Sequence, residues 1–386
     1  MDAMHLALNE FDSLSCDYRH LHMYPEISRH EVNTHAYIRR CLERNGIEYL
    51  APKDNITIAV IKGALPGKTC AIRSDTDALQ VTEDTGLEYA SRNPGVMHAC
   101  GHDGHTAIGI TCAKILNDQR QSLHGTVKVI FQPAEEGELG AQAVMDTGLV
   151  NDVNAFFGVH LWSTFKSGEL RVRTGGASAS TDMFTVRITG RSGHGAMPEI
   201  CVDPIVCASA LVGELQHIVS RFSSPFEPVV VTVGSFHAGT RCNIIAGEAV
   251  LEGTIRTCDP EVYRSVHEKF DLMVKNTCES FGCKWEIDMR PACGVTFNDE
   301  KLCSLARRAA KEIGREPLED IPTMIGDDFG DFRAIAPVCY MRVGVRNEAL
   351  NAVYAHHHPR FRIDESALPL AAAWLLKSCE MYLEGR

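Results

Sequence analysis

TDMFTVRITG, residues 181–190, marks the point at which the pattern of the chain changes. Phe184, Val186 and Ile188 alternate with polar side chains, as in a strand with one covered face. Reading onward, PIVCASALVGELQHIVSRF (204–222) has helical spacing, and PVVVTVGSF (228–236) and AVLEGTIRT (249–257) read as strands. PEVYRSVHEKFDLMVKNTCESFG (260–282) is a second helix and KWEIDMR (284–290) a further strand. The order β-α-β-β-α-β is that of a ferredoxin-like α+β unit, which can fold as its own domain.

Outward from this block, strands and helices alternate singly. ITIAVIKG (56–63), TCAIR (69–73), TVKVIF (126–131), NAFFGV (154–159) and VCYMRVGV (338–345) are strand-like. TAIGITCAKILND (106–118) puts Ile108, Cys112, Ile115 and Leu116 on one helical face, and AQAVMDTG (141–148) is a short helix closed by Gly148. The first 50 residues are mainly helical, and RHEVNTHAYIRRCLERNG (29–46) ends on Gly46 as a cap. LCSLARRAAKEIG (302–314) and ESALPLAAAWLLKSCEMYL (365–383) are the last helices. Such alternation predicts an α/β fold with a mainly parallel sheet covered by helices. The expected organisation is a discontinuous domain of residues 1–178 and 292–386, interrupted by an inserted domain of residues 179–291.

Composition limits what such a chain can do. With 386 residues and 45% hydrophobic content it can bury the cores of two domains. A formal net charge of -12 opposes nucleic acid and anionic lipid as partners, which favours a small molecule. The 15 cysteines are scattered without a CxxC pair, so reduced thiols and a cytoplasmic location are expected. The opening MDAMHLALNEFDSLSCDYRH lacks the basic start and apolar run of a secretory signal, and no run of about 18 apolar residues occurs to span a membrane.

The groups able to bind protons and metals gather after the predicted strands. SDTDA follows TCAIR and carries Asp75 and Asp77; QPAEEG follows TVKVIF and carries Glu135 and Glu136; His160 follows NAFFGV; AHHHP, with His356 to His358, follows VCYMRVGV and a loop. HACGHDGH (98–105) precedes the helix at 106 and holds three histidines, a cysteine and an aspartate. Singly, each has an ordinary explanation: a solvated turn, a capped turn or a core histidine. Together, at the edge of an open α/β sheet where loops converge on a crevice, they favour a metal site.

The order SDTDAL, HACGHDGHT, QPAEEG, GVHLW, GHGAMP, GTIRT and HHPRFRIDESALP resembles the amidohydrolase branch of the M20 metallopeptidases, which includes aminoacylases, hippurate hydrolases and indole-acetyl-amino-acid hydrolases. The resemblance covers essentially the whole chain. It implies a phosphorylase/hydrolase-like catalytic domain holding two divalent ions (Zn, Mn, Co or Ni), with the inserted domain serving as lid and dimerisation unit. By the same resemblance the ligands fall on Cys100, His102, Glu136, His160 and His357, and the general base on Glu135. Asp77 then orients a ligand histidine, and His194 of GRSGHGAMP reaches a partner's site to stabilise the oxyanion. Asn243 and Arg256 fall where the family places polar groups near the substrate.

The chemistry supports these residue types. Two ions about 3.5 to 4 Å apart need a shared deprotonated ligand, and a thiolate whose pKa they depress can serve, which suits Cys100. Of two adjacent glutamates one can bind metal while the other stays free to move a proton, as a base must. Gln80, Ala246-Gly247 and Gly326-Asp327-Asp328-Phe329 depart from the usual family residues; none removes a ligand, but all bear on substrate choice. The expected activity is hydrolysis of an N-acyl-amino acid to a carboxylate and a free amino acid, by a homodimer. The alternatives are a dipeptidase or carboxypeptidase with the same centre and, from another class, a non-catalytic metal-dependent binding protein.

Overall fold

In the computed structural model, which describes residues 1–137 and 139–386, buried side chains alternate along the central strands between two separate cores. Cys70, Ile72, Val129, Phe131 and Phe157 face one core, and Ala71, Ile130 and Phe156 face the other, because successive strand residues point to opposite sides. A sheet buried on both faces needs such continuous apolar runs. Its strands are β1 (Tyr49–Lys53), β2 (Ile56–Lys62), β3 (Leu65–Asp75), β4 (His124–Gln132), β5 (Ala155–Lys166), β6 (Leu170–Val172), β7 (Leu318–Glu319) and β8 (Val338–Arg346). They lie in the order β1-β2-β4-β3-β5-β8-β6-β7. The centre, β4-β3-β5-β8, is parallel throughout, while β1, β2 and the β8/β6 pair run antiparallel. The fold is mixed α/β with a mainly parallel central sheet.

Helices α1 (Ala3–Asn9), α2 (Phe11–Met23), α3 (Val32–Arg44), α4 (His102–Asp118), α5 (Gly140–Met145), α6 (Glu300–Glu312) and α7 (Leu368–Leu383) complete this unit. α4 and α7 are buried almost all round, as their largely uncharged sequences require. By its packing the chain divides into two units, Met1–Ala177 with Phe297–Ile321 and Asp328–Arg386, and Ser178–Thr296 with Pro322–Asp327. Among the described residues no helix is long and apolar enough to cross a membrane.

Two local expectations are corrected. His160 lies in the middle of β5 rather than beyond its end, because β8 continues the pairing past the apolar run: Arg342 opposes His160, Val343 opposes Leu161 and Gly344 opposes Trp162. Helix α4 starts at His102, four residues before Thr106, so half of HACGHDGH is helical.

In the second unit the four strands Val229–Ala238, Glu248–Thr257, Thr181–Thr189 and Lys284–Cys293 form, in that order, an antiparallel sheet. The helices Pro204–His217 and Pro260–Ser280 bury Cys207, Leu211, Phe270 and Val274 in one core with Phe184, Val186 and Ile188. Asp203 and Asp259 cap these helices, each accepting two backbone N–H groups ahead of a proline at the first helical position. A Cβ at Gly326 would come within 2.5 Å of Thr181 Oγ1 and 2.6 Å of Cys293 Sγ, so packing alone accounts for a glycine there.

Candidate metal centre

The early start of α4 is held by tertiary bonds rather than by helix propensity. Gly101 precedes it with φ +92°, a left-handed conformation that glycine adopts without penalty. The first-turn side chains then reach other elements. His105 Nδ1 donates to Asp75 Oδ1 at 2.6 Å, and its Nε2 accepts the Leu161 N–H at 2.9 Å, tying α4 to the end of β3 and the middle of β5. Asp103 takes the Gly104 N–H at 2.8 Å and faces His22 Nδ1 at 2.6 Å. His22 Nε2 is 3.2 Å from Glu83. Burial works against the charged form of His22, but Asp103 and Glu83 outweigh it and bring its pKa up to about 9.

The five expected ligands come together around Cys100. Donor atoms of Cys100, His102 and His160 lie within 4.8 Å of one another, and so do those of Cys100, Glu136 and His357, so the thiol belongs to both sets. Cys100 Sγ stands 3.6 Å from His160 Nε2, and His357 Nε2 stands 3.4 Å from Glu136 Oε1. The His357 backbone is left-handed, φ +66°, and its N–H donates to Ala99 O at 2.8 Å, which carries the ring to the cluster.

Hydrogen bonds set which ring nitrogen of each histidine points inward. His102 Nδ1 donates to Asp77, whose carbonyl and carboxylate oxygens lie 3.0 and 3.1 Å away, leaving Nε2 as a lone pair. Ser28 and the Glu136 N–H hold the other Asp77 oxygen at 2.7 and 3.0 Å. His160 Nδ1 donates to Leu161 O at 2.8 Å, so its Nε2 is likewise the acceptor. Burial, with His105 and His356 nearby, holds His160 well below the ordinary histidine range and therefore neutral. Burial opposes charge on His102 as well, but Asp75, Cys100 and Asp77 raise it well above that range, so a bound cation would displace the Nε2 proton and take up that lone pair.

Glu135 and Glu136 follow β4, with their carboxylates 3.8 and 3.9 Å from His102 Nε2. Distance to His102 does not separate them; the contact of Glu136 with His357 does. Among the described residues, the buried His102 Nε2 and Glu136 Oε1 have no hydrogen-bond partner. Buried polar atoms are rarely left so, and a thiol, two imidazole lone pairs and a carboxylate converging on them fit one or more divalent cations of the zinc or manganese type. Burial and the charge of Glu136 push the Cys100 thiol up, a shift that a bound cation would reverse.

Some participants escape a reading of the sequence. Arg73 forms an ion pair with Asp75, and its other nitrogens reach Asp328 Oδ1 and Gln132 Oε1, each at 2.9 Å. Breaking such a buried pair by removing one partner costs about 3–5 kcal/mol. His98, first of the motif, is buried, neither ring nitrogen has a hydrogen-bond partner among the described residues, and burial lowers its pKa to about 4.

The remaining expected residues belong to the second unit. His194 is exposed, in a short strand Gly193–His194 paired with Ile244–Ile245, and its Nδ1 accepts the Ala196 N–H at 3.1 Å. The exposed Asn243 accepts the Gly195 N–H on its carbonyl at 2.9 Å. Arg256 donates to Thr181 Oγ1 at 3.0 Å and Met324 O at 2.9 Å.

The profile of peptidase family M20/M25/M40 matches residues 71–380. The N-acetyl-L-cysteine deacetylase of Bacillus subtilis (strain 168) is 37% identical, over 95% of this chain and 87% of its own. Thermostable carboxypeptidase 1 of Saccharolobus solfataricus is 34% identical, over 92% of this chain and 91% of its own. Among solved structures, the Bacillus subtilis YXEP protein, described as a dinuclear metal binding peptidase of the M20 family, superposes with a TM-score of 0.87 at 34% identity, covering 97% of this chain and 98% of that one. On its profile match, its relatives and its fold, the chain belongs to peptidase family M20/M25/M40.

Proposed function

We propose that the chain hydrolyses the amide bond of N-acyl-amino acids, with Cys100, His102, Glu136, His160 and His357 holding two divalent ions and Glu135 acting as general base. The observation that carries this reading is the Cys100 thiol common to two three-residue donor sets, beside a pair of glutamates of which one also faces His357. When bound, the two cations supply Lewis acidity to the amide carbonyl and make water a nucleophile at neutral pH. The residues do the rest. Asp77 fixes His102 by accepting a hydrogen bond from its Nδ1–H, Glu135 takes a proton from the attacking water, and the same carboxyl returns it to the leaving amine nitrogen.

The second unit is proposed as a ferredoxin-like lid and dimerisation domain, a reading its strand order supports. Asn243 and the remaining N–H groups of Arg256 would meet the substrate's polar end, and His194 would stabilise the oxyanion in the partner's site. The relative named for N-acetylcysteine favours a small acyl group on an amino acid, and the relative named as a carboxypeptidase keeps peptides as the second reading. Assaying N-acyl-amino acids, dipeptides and longer peptides against protein loaded with Zn, Mn, Co or Ni separates them. N-acyl-amino acids should be cleaved with kcat/KM at least about tenfold above the peptides, a difference of about 1.4 kcal/mol in barrier. Cleavage of peptides alone would transfer the assignment to the second reading, and metal binding without any amide cleavage would leave a binding protein.

The His194 role gives a separate expectation. After subunit exchange between inactive Glu135→Gln and His194→Ala chains, each mixed dimer has one site with Glu135 from one chain and His194 from the other. Random pairing should revive about a quarter of all sites. A mixture as inactive as its parents would place His194 in its own chain's site or outside catalysis.

A further inference from the structure

Glu31, the residue before α3, is a carboxylic acid with no exposed surface, and among the described residues it has no ion-pair partner. Its Oε1 accepts the Ala134 N–H at 2.8 Å, and its Oε2 accepts from Asn55 Nδ2 at 3.2 Å. Burial, partly offset by hydrogen bonds, brings its pKa up to about 7, so the site retains a carboxyl that its surroundings disfavour as an anion. Ala134 immediately precedes Glu135 and has φ +55°, a conformation that residues bearing a side chain adopt reluctantly. Its carbonyl accepts the Gly140 N–H at 3.2 Å, and two residues on, the Glu136 N–H is held by Asp77 at 3.0 Å. Glu135 thus sits between two backbone amides, each gripped by a different buried carboxyl.

We propose that Glu31 is a positioning residue for the reaction: by accepting the Ala134 N–H it fixes the left-handed turn that presents Glu135 to the cluster around His102. The inference rests on the reading of Glu135 as the base. It requires an acceptor atom at one place rather than a charge, and that separates it from a role in folding or in local electrostatics.

Three variants test it. Glu31→Gln retains an acceptor at the same reach, and Asn55 can turn its amide to match. Glu31→Asp retains the acid but withdraws it by one methylene, and Glu31→Met fills the space without an acceptor. Gln should keep kcat within about threefold, while Asp and Met should lower it about 10- to 100-fold, because a misplacement of about 1 Å costs on that order. KM and metal content should be unchanged in all three, and amide hydrogen exchange at Ala134 should quicken in Asp and Met alone. Should Met fail to fold, the contrast between Gln and Asp decides. Wild-type kcat in Glu31→Asp, or a loss in Gln as large as in Asp, would overturn the proposal. If Glu135→Gln is inactive while Glu31→Asp is fully active, only the positioning role falls; if Glu135→Gln is itself active, the reading of the base falls with it.

Discussion

Glu135→Gln is expected to bind metal as the parent does and to hydrolyse its substrate about 10²- to 10⁴-fold more slowly, the usual contribution of a positioned base. The substitution keeps the side chain's shape and removes only its ability to take a proton. Both glutamates stand close to His102 Nε2, at 3.8 and 3.9 Å, so the assignment of roles depends on the second contact of Glu136, 3.4 Å from His357. Elemental analysis beside steady-state kinetics separates the outcomes. Metal loss in Glu135→Gln would mean that the two glutamates exchange roles, and unchanged turnover would remove Glu135 from the chemistry.

Prolonged chelation should abolish hydrolysis altogether, and Mn, Co or Zn added afterwards should restore it. The expected loss is complete because the two ions would supply both the Lewis acid for the carbonyl and the activation of water. His102 is fully buried, so release should be slow and the treatment long. The stripped protein should also be less stable, since ions that bind the folded cluster and not the unfolded chain favour folding. Thermal unfolding with and without metal reads this second effect independently of substrate.

Much of the first unit can be read from the sequence because parallel strands buried on both faces have to be continuous apolar runs, and TVKVIF and VCYMRVGV are such runs. The errors arise where tertiary structure decides. The run NAFFGV reads as a strand ending before His160 because a polar side chain interrupts it, yet β5 continues on backbone pairing with β8, which does not depend on side-chain type. The first turn of α4, His-Asp-Gly-His, has no apolar period to announce a helix; Asp103 with His22 and His105 with Asp75 hold it. The Arg73–Asp328 bond joins residues 255 apart, and no local pattern marks either as a partner of the other. The proposed ligands, by contrast, are marked in the sequence by their types and order, and the fold brings the donor atoms of Cys100, His102, Glu136, His160 and His357 together.

The central claim is that two ions share this one cluster through Cys100 and that amide hydrolysis depends on both. The most direct measurement is the rate of amino-acid release from an N-acyl-amino acid as metal is titrated into fully stripped protein, with bound metal determined in the same samples. The account predicts a rate that saturates at two equivalents per chain. Hydrolysis at full rate in metal-free protein, or saturation at a single equivalent, would contradict it.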